Sequence, residues 1–273
     1  QISLGQGALM AVGGYTCALV VLNLGFTYWQ SIIIAALVSL FAGWILGITA
    51  ARLSGPYLAG TTLVIALAIP SLATRFESVF GGDVGLSVDY GTPPEWLSGV
   101  IGEIGYEQWQ LFAILPFATI ALFLALNIFK SRTGRSWRAV RDHEIAASLA
   151  GINVQRIKIF TFVIASGFAG LAGAMYGLRG IVGPSVYPVS LSLALLTGAI
   201  LGGLRSIAGA FFGAALVVFL PDLIDKITGS WELAPQIGDY LPAMVSGILL
   251  ILTVVLNPAG IAGALHHHKP RHK

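Results

Sequence analysis

The densest group of charged side chains in this chain lies in residues 130–158, KSRTGRSWRAVRDHEIAASLAGINVQRIK, where seven Lys and Arg stand against Asp142 and Glu144. What these residues offer is docking, not bond making. Arg138 and Arg141, three apart, precede a stretch in which Asp142 is placed to cap a short helix through its side-chain oxygen. Glu144 falls in the first turn, where the helix dipole favours an anion, and Gly151 stands where the helix must end. On this helix, about nine residues long, Ile145, Leu149 and Ile152 share one face, while Ala146 and Ala147 keep the adjoining surface small. Small residues flanked by apolar knobs fit a groove on a partner protein. The same pattern also suits a helix lying on acidic headgroups, with its arginines as anchors.

A second set of positions is polar but uncharged and lies within apolar stretches: Gln6, Thr16, Thr61, Thr62, Ser166 and Thr197. Such groups either line a solute path or hydrogen-bond one helix to another. The apolar segments hold no Asp, Glu or His, and their one charge is Arg205, at a glycine turn. A charge at the bilayer centre costs about 2.5–3.5 kcal/mol on insertion scales, so acids retained there mark ion or proton relays. Their absence argues against a proton-coupled carrier. It argues equally against an intramembrane hydrolase or transferase, which would need a base beside its nucleophile or ligands for a metal. Sodium coupling through unwound carbonyls stays open. No catalytic residue and no metal site is assigned. No Gly-Lys-Ser or Gly-Lys-Thr occurs, so any nucleotide energy comes from another polypeptide.

The elements that must hold these residues are apolar helices. Mean hydropathy is +0.85; 56% of the 273 residues are hydrophobic and 10% charged, against roughly a quarter charged in soluble chains. This is the composition of an all-α, polytopic membrane protein, whose partners are the lipid bilayer and other proteins and not nucleic acid. Residues 3–22, 31–51, 56–73, 109–129, 159–178, 191–220 and 240–256 are the apolar segments. Basic residues place the 130–158 loop and the tail, with Lys269, Arg271 and Lys273, in the cytoplasm. Residues 74–108, with Arg75 against six acids, face outward.

That orientation requires residues 191–220 to enter and leave on the same side. Gly202-Gly203-Leu204-Arg205-Ser206 splits them into two pieces of about a dozen residues, short of the ~20 that span a bilayer. A re-entrant or broken-helix pair meeting at Arg205 is expected, walled off from lipid. Gly43 and Gly47, Gly173 and Gly177, Gly198 and Gly202, and Gly209 and Gly213 stand four apart, marking faces where helices approach closely. Pro70, Pro116 and Pro242 lie within spans. The one cysteine, Cys17, excludes an internal disulfide, and residues 266–273 read as a basic tail. The external Gly81-Gly82-Asp83-Val84-Gly85-Leu86-Ser87 run lacks a lysine and reads as a turn beneath an external partner.

Gly134-Arg135-Ser136-Trp137-Arg138-Ala139-Val140-Arg141, then Glu144-Ile145-Ala146-Ala147 and Gly151-Ile152-Asn153, resemble the cytoplasmic coupling loop of branched-chain amino acid ABC importer permeases, most closely the larger of their two permease subunits. The resemblance continues through Ser3-Leu4-Gly5, Gly14-Tyr15, Gly55-Pro56-Tyr57-Leu58-Ala59, Gly85-Leu86-Ser87, Leu201-Gly202-Gly203-Leu204 and Pro258-Ala259-Gly260. Ala146, Ala147 and Gly151 keep the spacing of importer loops, while Glu144 stands one position early and the Ile-x-Leu-Pro continuation is absent. Arg205 replaces a small residue.

This resemblance implies a many-helix, type II-like permease domain over residues 1–265, with one or two helices preceding Gln1. It implies a second, paralogous permease subunit, two cytoplasmic ATPases that use ATP and magnesium, and an extracytoplasmic solute-binding protein. This chain itself would hold no cofactor and catalyse nothing. Arg138, Arg141, Asp142, Glu144, Ile145, Ala146, Ala147, Leu149 and Gly151 would couple to the ATPase; Gln6, Thr16, Thr61, Thr62, Ser166, Thr197 and Arg205 would be path positions. The location implied is a bacterial cell membrane, crossed several times, with the C-terminus inside. Branched-chain amino acids lead as substrate, with urea or short amides as the alternative. A carrier or channel that works without ATP is the rival from another class.

Overall fold

The computed structural model describes residues 3–53, 55–89, 105–203 and 206–228, together with positions 244 and 248. Two compact units divide the chain, Gln1–Val189 and Ser190–Lys273.

The first unit holds α1 (Gln6–Leu24), α2 (Tyr28–Ala50), α3 (Pro56–Arg75), the short α4 (Glu77–Phe80), α5 (Tyr106–Lys130), α6 (Arg132–Asp142), α7 (Glu144–Leu149) and α8 (Val154–Gly177). Local sequence accounts for the boundaries. Gly25, at φ +63°, ends α1 in the left-handed conformation and returns its N–H to the Val21 carbonyl. The Thr27 N–H donates to the Gln30 side chain at 3.2 Å, opening α2. Pro56 starts α3, where its missing N–H costs nothing. Pro70 and Pro116 sit inside helices that continue through them.

Among the described residues, α1, α2, α3, α5 and α8 are long and apolar enough to cross a membrane, and the chain is a multi-pass membrane protein. Each matches an expected span to within a few residues. Of the expected span over 240–256 only positions 244 and 248 are described; Pro242 and the tail over 266–273 lie outside the described residues.

The centre of this unit is the packing of α8 against α2 and α1, and glycine allows it. A Cβ on Gly13 would fall on the backbone of Gly170, and one on Gly173 on the backbone of Met10. Gly43 makes room for Ser166 and Gly170 for Ser39. With no side chain between them, the backbones approach closely and dispersion contacts replace the hydrophobic drive that lipid cannot supply. By contrast α5 buries only Trp109 and Ala113.

At the far end from the basic loop, β1 (Leu86–Ser87) pairs antiparallel with β2 (Ile181–Val182), Leu86 opposite Val182. The glycine run at 81–87 is therefore an ordered turn, with Gly81, Gly82 and Gly85 all at positive φ. The Gln110 side chain donates to the Leu178 carbonyl at 3.1 Å, tying the start of α5 to the end of α8.

The second unit holds α9 (Val189–Gly202) and α10 (Ile207–Thr228). Gly198 meets Gly213 and Gly202 meets Gly209, so the two helices turn back on each other at the expected glycine break. The expectation of two pieces of about a dozen residues is corrected: α10 has 22 residues. Hydropathy marks where the apolar stretch stops, near Leu220, but the backbone hydrogen-bond ladder runs on into polar residues. Arg205 lies outside the described residues.

Candidate functional site

The site is the α6–α7 segment between α5 and α8, and its geometry begins at a tight reversal. Ser131 donates to the Ile128 carbonyl at 2.6 Å and accepts from the Gly134 N–H at 3.3 Å, capping α6. Only glycine fits at position 134, because a Cβ there would collide with the Phe129 and Ile128 carbonyls. The Trp137 ring lies between Phe129, 6.1 Å away at the end of α5, and Phe160, 6.5 Å away in α8. Its indole N–H is buried without a partner among the described residues.

Two of the arginines turn inward on the chain itself. Arg135 and Arg138 reach the carbonyls of Lys130 and Phe129 at 3.5 and 3.4 Å, where the C-terminal dipole of α5 favours cations. Arg141 pairs with Asp142 at 3.0 Å. Of the expected coupling arginines, Arg138 is thus spent on holding α6 against α5.

The short helix differs from expectation in its start and length. Asp142 does not cap it; Asp142 closes α6, and His143 is the cap, its Nδ1 accepting from the Ala146 N–H at 3.4 Å. The helix runs six residues, not about nine, because α6 occupies the positions before it. Gly151 ends it as expected, at φ +84°, while the Ile152 N–H returns to the Ala147 carbonyl at 3.0 Å. Ala147 faces inward at 4% exposure and Ala146 outward. Ile145 and Leu149 stand free, 68% and 84% exposed, and Ile152 is half-buried. Glu144 pairs with Lys158 of α8, a contact that the sequence spacing did not suggest.

The polar positions within the spans separate by location. Ser166 is fully buried in the α2–α8 seam and donates to the Phe162 carbonyl at 2.7 Å. Thr62 is buried, accepts from the Leu4 N–H at 2.9 Å and donates to the Leu58 carbonyl at 3.0 Å, bracing the start of α1 on α3. Gln6 is half-buried in the first turn of α1. Thr61 and Thr197 donate to carbonyls one turn back, at 2.9 and 2.8 Å. Thr16 lines a cavity of about 400 Å³ between α1, α3 and α4, with Tyr15, Leu19, Ile69, Phe76 and Phe80 among its walls. The Tyr15 hydroxyl is buried and has no partner among the described residues.

Sequence reading missed Tyr187, which lies 2% exposed and donates to the Gly173 carbonyl at 2.8 Å. Burial pushes its hydroxyl far above the usual phenol range, so it stays a neutral donor. A tyrosine in a Gly- and Pro-rich connection was the available signal. Among the described residues no three of His, Cys, Asp and Glu come together as a metal would need.

The sequence model for the permease component of the branched-chain amino acid transport system matches residues 1–254. The chain is 30% identical over 280 residues to the high-affinity branched-chain amino acid transport system permease protein LivM of Salmonella typhimurium, covering 94% of this chain and 63% of that protein. It is 33% identical over 172 residues to LivH of Escherichia coli, 62% of this chain and 53% of the relative. The probable LivM of Methanocaldococcus jannaschii is 27% identical over 237 residues, 85% of this chain and 67% of the relative. The chain therefore spans about 63% of the length of the LivM proteins of Salmonella and Escherichia coli. No solved structure matches it. Five helices long and apolar enough to cross a membrane among the described residues agree with the sequence match: the chain belongs to the branched-chain amino acid transport permease family.

Proposed function

We propose that this chain is a transmembrane permease subunit of an ATP-driven importer that takes up branched-chain amino acids delivered by an extracytoplasmic binding protein. The observation that carries this reading is the pair Ile145 and Leu149, bare on a capped helix between the ends of two spans. Apolar side chains held out in a basic loop are stabilised when a partner groove removes them from water. In this reading the partner is a cytoplasmic ATPase, one of two. The second permease subunit is a paralogue, as LivH is to LivM by name. Both termini of the coupling loop and the C-terminal tail face the cytoplasm of a bacterial cell.

Closure of the ATPases moves α7, and α7 moves the spans that it joins. The chain makes and breaks no covalent bond; ATP and magnesium are bound by the partner. Thr16 and the cavity beside it are the proposed path-lining group, and Ser166 and Thr62 brace helices. Reconstituted transporter with ATP and binding protein should accumulate leucine, isoleucine or valine. Uptake by this chain alone, without nucleotide, would overturn the reading in favour of an ATP-independent carrier, and uptake of urea without amino acids would overturn the substrate.

A further inference from the structure

Six residues are too few for α7 to hold its own shape in water, so its position is set by ties to the rest of the chain. His143 caps it and Ala147 seats it, but both act locally. The covalent link to α8 passes through Gly151 in the left-handed conformation, a connection of only a few residues. The tie that reaches across this link is ionic. Lys158 Nζ, one turn inside α8, lies 2.9 Å from each carboxylate oxygen of Glu144. Its side chain is 12% exposed and that of Glu144 53%, so the cation is fixed in the body of the protein and the anion rides on α7.

What lies behind Lys158 decides where a push would go. α8 packs on α1 by backbone approaches at Gly13 and Gly173, and on α2 where Gly43 receives Ser166 and Gly170 receives Ser39. α5 buries little, and α6 is held against its end by Arg135 and Arg138 on the Lys130 and Phe129 carbonyls and by the Phe129–Trp137 ring contact. The Glu144–Lys158 pair is the corresponding side-chain tie on the α8 side, with both carboxylate oxygens engaged by one ammonium.

We propose that Lys158 is a positioning residue that transmits movement of α7 to α8 through Glu144, so that the α1–α2–α8 block is driven by α7 directly as well as through α6 and α5. This rests on the docking of α7 to an ATPase proposed above. Glu144 is then committed within this chain and is not the acid that contacts the ATPase.

The test uses the complete transporter in proteoliposomes, with both permeases, both ATPases and the binding protein. Three quantities are read: substrate transported per ATP hydrolysed, ATP hydrolysis itself, and capture of the ATPase by a thiol-to-amine cross-linker on a cysteine placed at Ala146. Cys17 is fully buried, so the new thiol is the reactive one. Lys158→Met and Glu144→Gln should keep capture and hydrolysis but lower transport per ATP about tenfold. Lys158→Arg should keep the ratio. The exchange Glu144→Lys with Lys158→Glu should recover most of what either single reversal loses, which a merely stabilising pair would not do for the ratio. Glu144→Gln alters the exposed end only, so it answers even where Lys158→Met does not assemble. Unchanged transport per ATP in Glu144→Gln, with capture intact, overturns the inference and leaves docking standing. No capture in the otherwise native protein overturns docking, and the inference with it.

Discussion

Tyr187 donates its hydroxyl to the Gly173 carbonyl at 2.8 Å, in a space that exists because Gly14 has no side chain. One bond therefore ties the connection after α8 to the α1–α8 seam. It stands at the end of the bundle opposite the 130–158 loop, close to the β1–β2 pair. Removing the hydroxyl in Tyr187→Phe should cost about 1 kcal/mol of stability. Gly14→Ala should cost more, because its Cβ strikes the tyrosine ring tip. The double variant should be more stable than the sum of the two singles predicts. Thermal unfolding in detergent measures all three, and strict additivity would contradict the contact.

The glycine seams give a paired prediction with an internal control. Gly173→Ala drives a methyl into the Met10 backbone, which cannot retreat by rotating a side chain. A loss of about 1–3 kcal/mol is expected. Gly60→Ala in α3 meets nothing within 4 Å and should be neutral or stabilise by up to about 1 kcal/mol. The two variants differ by one methyl each, so equal melting temperatures would refute the seam.

Leu149→Asp should separate folding from function. The side chain is 84% exposed, so the change should move stability by no more than about 0.5 kcal/mol. ATP-driven uptake should nevertheless fall at least about tenfold, because an aspartate would be desolvated in an apolar groove without a partner. Ala147 would be a poorer probe, since it is buried and a bulky residue there would disturb the loop itself. Normal uptake by Leu149→Asp would remove α7 as the docking element.

The cap residue can be tested by hydrogen exchange. His143→Ala removes the acceptor for the Ala146 N–H and should weaken α7 by about 1 kcal/mol, speeding exchange at that amide. His143→Asn keeps a side-chain acceptor and should retain protection. Asp142→Ala should leave Ala146 exchange unchanged, because Asp142 pairs with Arg141 instead.

The apolar spans among the described residues and the helical character of the basic loop were legible in the residues alone. Partition between lipid and water acts on each segment by its own composition, so 56–73 and 109–129 announce themselves as helices wherever they sit. Gly151 was legible for a similar reason, since the end of a helix is a local backbone event. Glycines four apart marked the right faces, although not their partners: Gly43 meets Ser166 and Gly173 meets Met10, more than a hundred residues away in sequence.

Partner choice was decided by the tertiary structure. Asp142 and His143 are both able to cap α7, and only the presence of α6, ending at Asp142, leaves the task to His143. Glu144 could have faced an ATPase, and the placement of α8 beside α7 gives it Lys158. Ser166 and Thr16 have the same polarity in sequence, yet one closes a seam and the other lines a cavity. Composition determines how much of a helix prefers lipid. The rotation of each helix about its axis, which selects the neighbour that every side chain meets, is set by the packing of all of them together.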